Sequence, residues 1–280
     1  MDPLIDFNGI PACRLALDDG SQALVALHGA QLLSWTPGGQ EERIYLSPDA
    51  DFSGTRPIRG GIPVIFPQFG TQGPLPRHGF ARNLPWRLEE VRHDRKEKFA
   101  TALFSLSDSE VTRQVWPHPF RAELTCCLGE GRLDLELEVS NPGDAAFAFT
   151  AALHTYLRVQ EVEECHITGL HDQPYTDQSS GRKARDPALE LTVEDEIDRI
   201  YHGLKRPLLL SEPRRSLAIH MEGFPDAVVW NPWEHKCAAL DDMPLRGFRH
   251  MLCIEAAAVT QPVQLAPGDD WHGRQTLVCL

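Results

Sequence analysis

The sequence predicts an all-β protein, a large antiparallel β-sandwich with few short helices, and three observations carry that prediction. Leu133, Leu135, Leu137 and Val139 alternate with Asp134, Glu136 and Glu138, the period-two pattern of a strand with one wet face. Short runs of similar character recur along the chain, separated by clusters such as Asp18-Asp19-Gly20 and Pro37-Gly38-Gly39. That spacing suits many strands joined by turns rather than alternating strands and helices. Finally, 22 prolines and 21 glycines leave little room for long helices.

Taken in chain order, strands are expected at 23–27, 32–35, 100–106, 121–128, 133–139, 217–221, 227–230, 251–254 and 275–278. The 133–139 run ends at Asn141-Pro142-Gly143, a turn by composition. Residues 145–159 (AAFAFTAALHTYLRV) are apolar enough for a helix or a buried strand, and their Phe, Thr and Tyr favour one strand. The polar, Pro-, Gly- and Ser-rich residues 172–187 read as a long surface loop. Asp195-Glu196 reads as an acidic turn leading into a strand through Tyr201. No linker, repeat or low-complexity tract divides the 280 residues. Length alone suggests about two domains, but a single domain over 1–280 is the expectation.

Lys+Arg is 27 against Asp+Glu 40, a formal net charge of −13. That balance argues against nucleic acid or an anionic membrane as the partner. No run of 18 apolar residues is present, so no membrane span is expected. The start, MDPLIDFNGIPAC, lacks the basic and apolar regions of a signal peptide. Seven cysteines, odd in number and without CxxC spacing, do not form a disulfide framework. The expectation is a reduced, soluble, cytoplasmic protein. P-loop, GxGxxG, GxSxG, HExxH and HxH patterns are all absent, and His235-Lys236-Cys237 is too small a group for a metal site.

Three segments carry chemistry. Residues 56–87 hold Arg56, Arg59, Arg77, Arg82 and Arg87 and no acidic residue, a local charge of +5 in a negative chain. Arginine suits a phosphate because its planar fork donates paired hydrogen bonds and keeps its charge on burial. The same composition also fits a solvated arginine-rich loop. His154 interrupts a strongly apolar run, which makes it either a hydrogen-bonded structural residue or a proton-transfer group. Glu255 interrupts the apolar run 252–258, where a lone carboxylate needs a function or a cationic partner.

RGGIPVIFPQFG followed by LPRHGFARNLPW resembles the signature of the glucose-6-phosphate 1-epimerases, or hexose-6-phosphate mutarotases, of the aldose 1-epimerase (galactose mutarotase-like) superfamily. The resemblance continues through LHTYLRV, EIDRIY, VVWNPW, CIEAAAV and LAPGDDWHG, in order over nearly the whole chain. It implies a galactose mutarotase-like β-sandwich, a sugar-phosphate substrate, and an enzyme that interconverts α and β anomers through the open-chain aldehyde without metal or organic cofactor. By the same similarity His154 is the general acid at the ring oxygen and Glu255 the general base at the anomeric hydroxyl. Arg59, Arg77 and Arg82 are implied to bind substrate, Asp198 to accept hydrogen bonds from sugar hydroxyls, and His78 to line the pocket. The family often carries Gln at the position of Arg77, so the contact there is ionic in this chain or is lost. Trp230 and Trp233 are open to two readings, an apolar face for the sugar or plain packing. A mutarotase of unphosphorylated aldoses and a non-catalytic carbohydrate-binding protein are the alternatives.

Overall fold

A computed structural model describes residues 3–280. It is about 49% strand and 8% helix, with all named strand pairings antiparallel. The nine-stranded sheet runs, edge to edge, through Glu190–Leu191, His166–Thr168, Leu208–Glu212, Arg215–Glu222, Asp270–Cys279, Arg132–Ser140, Arg121–Gly129, Phe99–Ser107 and Arg87–Asp94. The eight-stranded sheet runs through Lys183–Arg185, Pro174–Asp177, Ile197–Tyr201, Asp226–Asn231, Met251–Leu265, Phe147–Leu153 and Val64–Ile65. Its eighth strand, Tyr156–Arg158, pairs with the lower part of Met251–Leu265. A four-stranded sheet, Leu4–Phe7 to Leu32–Thr36, contributes Cys13, Leu15, Ala23 and Val25 to the same core.

The alternation read in the sequence decides how these sheets pack. Leu133, Leu135, Leu137 and Val139 are buried while Asp134, Glu136 and Glu138 are not. Leu124 and Cys126 on the neighbouring strand share that inner face. They meet Ile254, Ala256 and Ala258 of the eight-stranded sheet in one continuous hydrophobic cluster. Phe149 and Trp271, 5.5 Å apart edge to face, bridge the two sheets. Burying a side chain of this size stabilises by roughly 1.5–3 kcal/mol, so the shared cluster is what holds the two sheets face to face.

Two expectations need correction. Residues 172–187 are not simply a loop: Pro174–Asp177 and Lys183–Arg185 pair as an antiparallel hairpin. Its polar side chains hid the strands, because this hairpin lies at the sheet edge with most of its residues facing water. Residues 145–159 form two strands, not one, with an interruption at His154-Thr155. The helices Glu110–Val115 and Trp233–Ala238 are each six residues long.

Candidate active site

Period-two geometry gives the eight-stranded sheet a second face, and the pocket lies there. In the strand Met251–Leu265, Ile254 and Ala256 point into the shared core, so Cys253, Glu255 and Ala257 point the other way. Glu255 stands opposite Val228 on the next strand. Trp230, two residues on, stands opposite Asp198. Glu255, Trp230 and Asp198 therefore share one face by register alone.

His154 reaches this face through the broken strand. Its N–H donates to the Pro63 carbonyl at 3.0 Å, and the Tyr156 N–H donates to Gly61 at 3.0 Å. Thr155 is turned inward, where its hydroxyl donates to Gln275 Oε1 at 2.5 Å. Gln275 in turn donates from Nε2 to the Ile254 carbonyl at 3.0 Å. A side chain of the nine-stranded sheet thus clamps both strands that present the candidate pair. His154 Nδ1 lies 3.3 Å from Glu255 Oε1.

The arginine segment forms the opposite wall. Gly60 makes the turn possible: its φ is +102°, and a Cβ there would sit 2.4 Å from the Tyr45 carbonyl oxygen. Arg59 Nε donates to Asp242 Oδ1 at 3.0 Å and Nη1 donates to the Tyr156 hydroxyl at 3.1 Å. The Tyr156 ring stacks on His154, with centroids 4.8 Å apart and planes at 10°. Gly79 explains the HG pair. A Cβ there would fall 2.3 Å from the Phe66 carbonyl oxygen, so the chain passes only because glycine has none. His78, just before it, is buried with its ring 5.6 Å from that of His154. The Gly70 N–H donates to His78 Nδ1 at 3.3 Å, which leaves the neutral ring's proton on Nε2.

Together Arg59, Arg77, His78, Arg82, His154, Asp198 and Glu255 line one open cavity of about 590 Å³. All seven residues that the resemblance implied reach it. Trp230 lines it as well, while Trp233 packs on Phe248, centroids 5.1 Å apart. Arg56 and Arg87 are exposed and turned to carboxylates elsewhere, Arg56 to Asp241 at 2.8 Å and Arg87 to Glu89 at 3.3 Å. Tyr156, Lys236 and Asp242 are lining residues that sequence reasoning missed. Tyr156 was visible two positions after His154, but Asp242 is an ordinary surface acid by sequence, and only the fold brings it to Arg59.

Burial dominates the electrostatics. It lowers the His154 pKa well below its ordinary value, with His78, Arg82 and Arg59 adding to the effect. It raises Glu255 well above the carboxylate range, and Asp198 adds to the rise while Arg82 and Arg77 oppose it. Asp198 is itself pushed up to about 6 by burial, against the pull of Lys236 and Arg77. Burial first, then the three arginines, drives His78 down to about 3. Arg82 falls to about 10 for the same reasons, burial leading, with Arg59 and Arg77 behind it. His154 Nδ1, Glu255 Oε2 and Arg82 Nε are all buried without a hydrogen-bond partner. Unmet polar atoms of this kind cost about 1–3 kcal/mol each, and they cluster where a polar molecule can meet them. Such clusters of displaced pKa values mark functional sites.

A sequence model of the family described as "Aldose 1-epimerase" matches residues 12–277. A relative from Cenchrus ciliaris named "Putative glucose-6-phosphate 1-epimerase" is 36% identical over 91% of this chain and 80% of its own length. Another of that name from Escherichia coli K12 is 33% identical over 91% of this chain and 86% of its own. The crystal structure of a "putative mutarotase" from Salmonella typhimurium superposes with a TM-score of 0.91 at 30% identity, covering 99% of this chain and 92% of that one. A match over nearly the whole length, in sequence and in fold, places this chain in the aldose 1-epimerase family, the sugar mutarotases.

Proposed function

We propose that this enzyme interconverts the α and β anomers of a hexose 6-phosphate, glucose 6-phosphate foremost, with His154 and Glu255 as the acid–base pair. The observation that carries the substrate is a pair of guanidinium groups in the pocket, Arg77 and Arg82, that form no ion pair with a carboxylate among the described residues. Arg59 is engaged by Asp242 and Tyr156. The Arg77 guanidinium has no hydrogen bond or ion pair among the described residues, while Arg82 donates from Nη2 to the Arg77 carbonyl at 3.2 Å and keeps its buried Nε without a partner. Their neighbouring donors suit a phosphate, which accepts several hydrogen bonds and carries the charge that two arginines need.

Ring opening needs one proton removed and one supplied across a single C–O bond. Burial disfavours charge on both His154 and Glu255, so the resting pair holds one proton on the carboxyl. Passing that proton from Glu255 to His154, whose Nδ1 stands 3.3 Å from Glu255 Oε1, gives a cation and an anion with no change in net charge. In that form Glu255 takes the anomeric hydroxyl proton while His154 gives its proton to the ring oxygen. The C1–O5 bond breaks and the carbonyl forms. After rotation about C1–C2, the O5 hydroxyl returns its proton to His154 as O5 attacks the other carbonyl face, and Glu255 reprotonates O1. Asp198 accepts hydrogen bonds from sugar hydroxyls, and Trp230 offers an apolar face to the ring.

The decisive measurement compares anomerisation of glucose 6-phosphate and of glucose under the same conditions. The reading requires a clear preference for the phosphorylated sugar. Equal rates, or a preference for glucose, would overturn the substrate assignment.

A further inference from the structure

Cys253 belongs to neither the phosphate wall nor the acid–base pair, yet it lies beside both catalytic candidates. It stands two residues before Glu255 on the same strand, and so points to the same face. Across the strand pair it is registered with Tyr156, whose ring stacks on His154. One ligand atom each from His154, Cys253 and Glu255 lie within 4.8 Å of one another, and all three residues are buried. Independently, His154 Nδ1 and Glu255 Oε2 are buried polar atoms without a hydrogen-bond partner.

We infer that His154, Cys253 and Glu255 form a binding site for a soft divalent cation such as Zn²⁺ or Cd²⁺, whose occupancy switches the enzyme off. Thiolate, imidazole and carboxylate are the ligand types zinc favours, at about 2.0–2.3 Å from the metal. Ligands at such bond lengths around a tetrahedral ion stand about 3–4 Å from each other, and the His154–Glu255 separation of 3.3 Å falls in that range. His154 and Glu255 line the pocket, and Cys253 lies fully buried behind them. Charge also balances. Binding releases the Cys253 thiol proton and any proton on Glu255, so two anionic ligands neutralise the dication. The arginines opposite then face a site of no net charge. Magnesium and calcium, which demand oxygen ligands, fit poorly. The inhibitory consequence rests on the acid–base reading above, because the cation would occupy the lone pairs that move the protons; the site itself does not.

Cadmium titration of the full chain separates the two. Its thiolate-to-metal charge-transfer band in the ultraviolet reports binding without turnover. One equivalent should produce the band, and Cys253→Ser and Cys253→Ala should each remove it while the other six cysteines remain. Zinc should inhibit the wild type, and either variant should need at least about ten-fold more zinc for half inhibition, with its metal-free rate retained. Glucose 6-phosphate should protect the wild type. A band that survives in both Cys253 variants, or unchanged zinc sensitivity, overturns the inference. Loss of metal-free activity in Glu255→Gln tests the catalytic assignment alone.

Discussion

The two large sheets use the same side chains to opposite ends. On the outer face of the nine-stranded sheet, Asp134 receives Arg132 at 2.7 Å and Glu123 receives Arg121 at 2.8 Å, all in reach of water. On the outer face of the eight-stranded sheet, Glu255 and His154 are almost entirely buried, and Asp198 lies in the same cavity. Hydrated pairs on an open sheet contribute only about 0–1 kcal/mol. The enclosed groups have their pKa values displaced by burial, and they stay enclosed because the hairpin, the arginine loop and the Trp233–Ala238 helix wall the face in. Environment, not composition, separates a decorated surface from a site.

The largest test of that contrast removes one carboxylate from each face. Glu255→Gln should lower the anomerisation rate by about 10²–10⁴-fold, the usual contribution of a positioned acid or base. Glu123→Gln should leave it unaltered. Equal effects in a polarimetric or coupled assay would erase the distinction between the faces.

Next comes the arginine wall. Arg77→Ala and Arg82→Ala should each raise KM for glucose 6-phosphate by about 10–100-fold, the scale of a lost hydrogen bond to a charged group. The rate on glucose should change little. Arg132→Ala, on the other sheet, should change neither.

Stability against pH sharpens the comparison further. Folding raises the Glu255 pKa above its ordinary 4.5, so the fold holds that proton more tightly than the unfolded chain. The stability this gives is present below pH 4.5 and is lost as pH rises toward the folded value. Glu255→Gln escapes the loss, so its melting temperature should gain progressively on wild type as pH rises above 4.5, while activity falls. Asp198, raised from 3.8 to about 6, should give Asp198→Asn a smaller gain confined to roughly pH 4–6. Melting curves that track wild type at every pH would contradict the assigned directions.

The smallest effect is expected at Tyr156→Phe. It removes one hydrogen bond to Arg59, worth about 1.5–3 kcal/mol at most, and keeps the ring stacked on His154. KM for glucose 6-phosphate should rise modestly, with kcat nearly unchanged.

Much of this was legible in the sequence, for unequal reasons. The regular strands announced themselves because one face of each is wet, as at 132–140. The strand 251–265 gave a weaker pattern, since both its faces are buried through Val259 and its alternation is erased. Its one anomaly, Glu255, therefore stood out. The 174–185 hairpin escaped because an edge position rewards polar residues, which resemble a loop. The interruption at His154-Thr155 depends on Gln275, 120 residues away, and no local pattern encodes it. The arginine segment was read as one charged unit. Only the fold shows that Arg59 is balanced by Asp242 and Arg56 by Asp241, while Arg77 and Arg82 meet no carboxylate among the described residues.

The Gln275 clamp ties the chemistry to the order in which the chain assembles. Gln275 belongs to a strand near the C-terminus, and it fixes both Thr155 and the Ile254 carbonyl from the opposing sheet. Pairing within the eight-stranded sheet, Leu153 opposite Ala256 and Tyr156 opposite Cys253, brings His154 beside Glu255, and the clamp from the opposing sheet pins the break between them. A nascent or partly refolded chain lacks that pin until the two sheets have met. The acid–base pair thus gains its last restraint only when the sandwich closes.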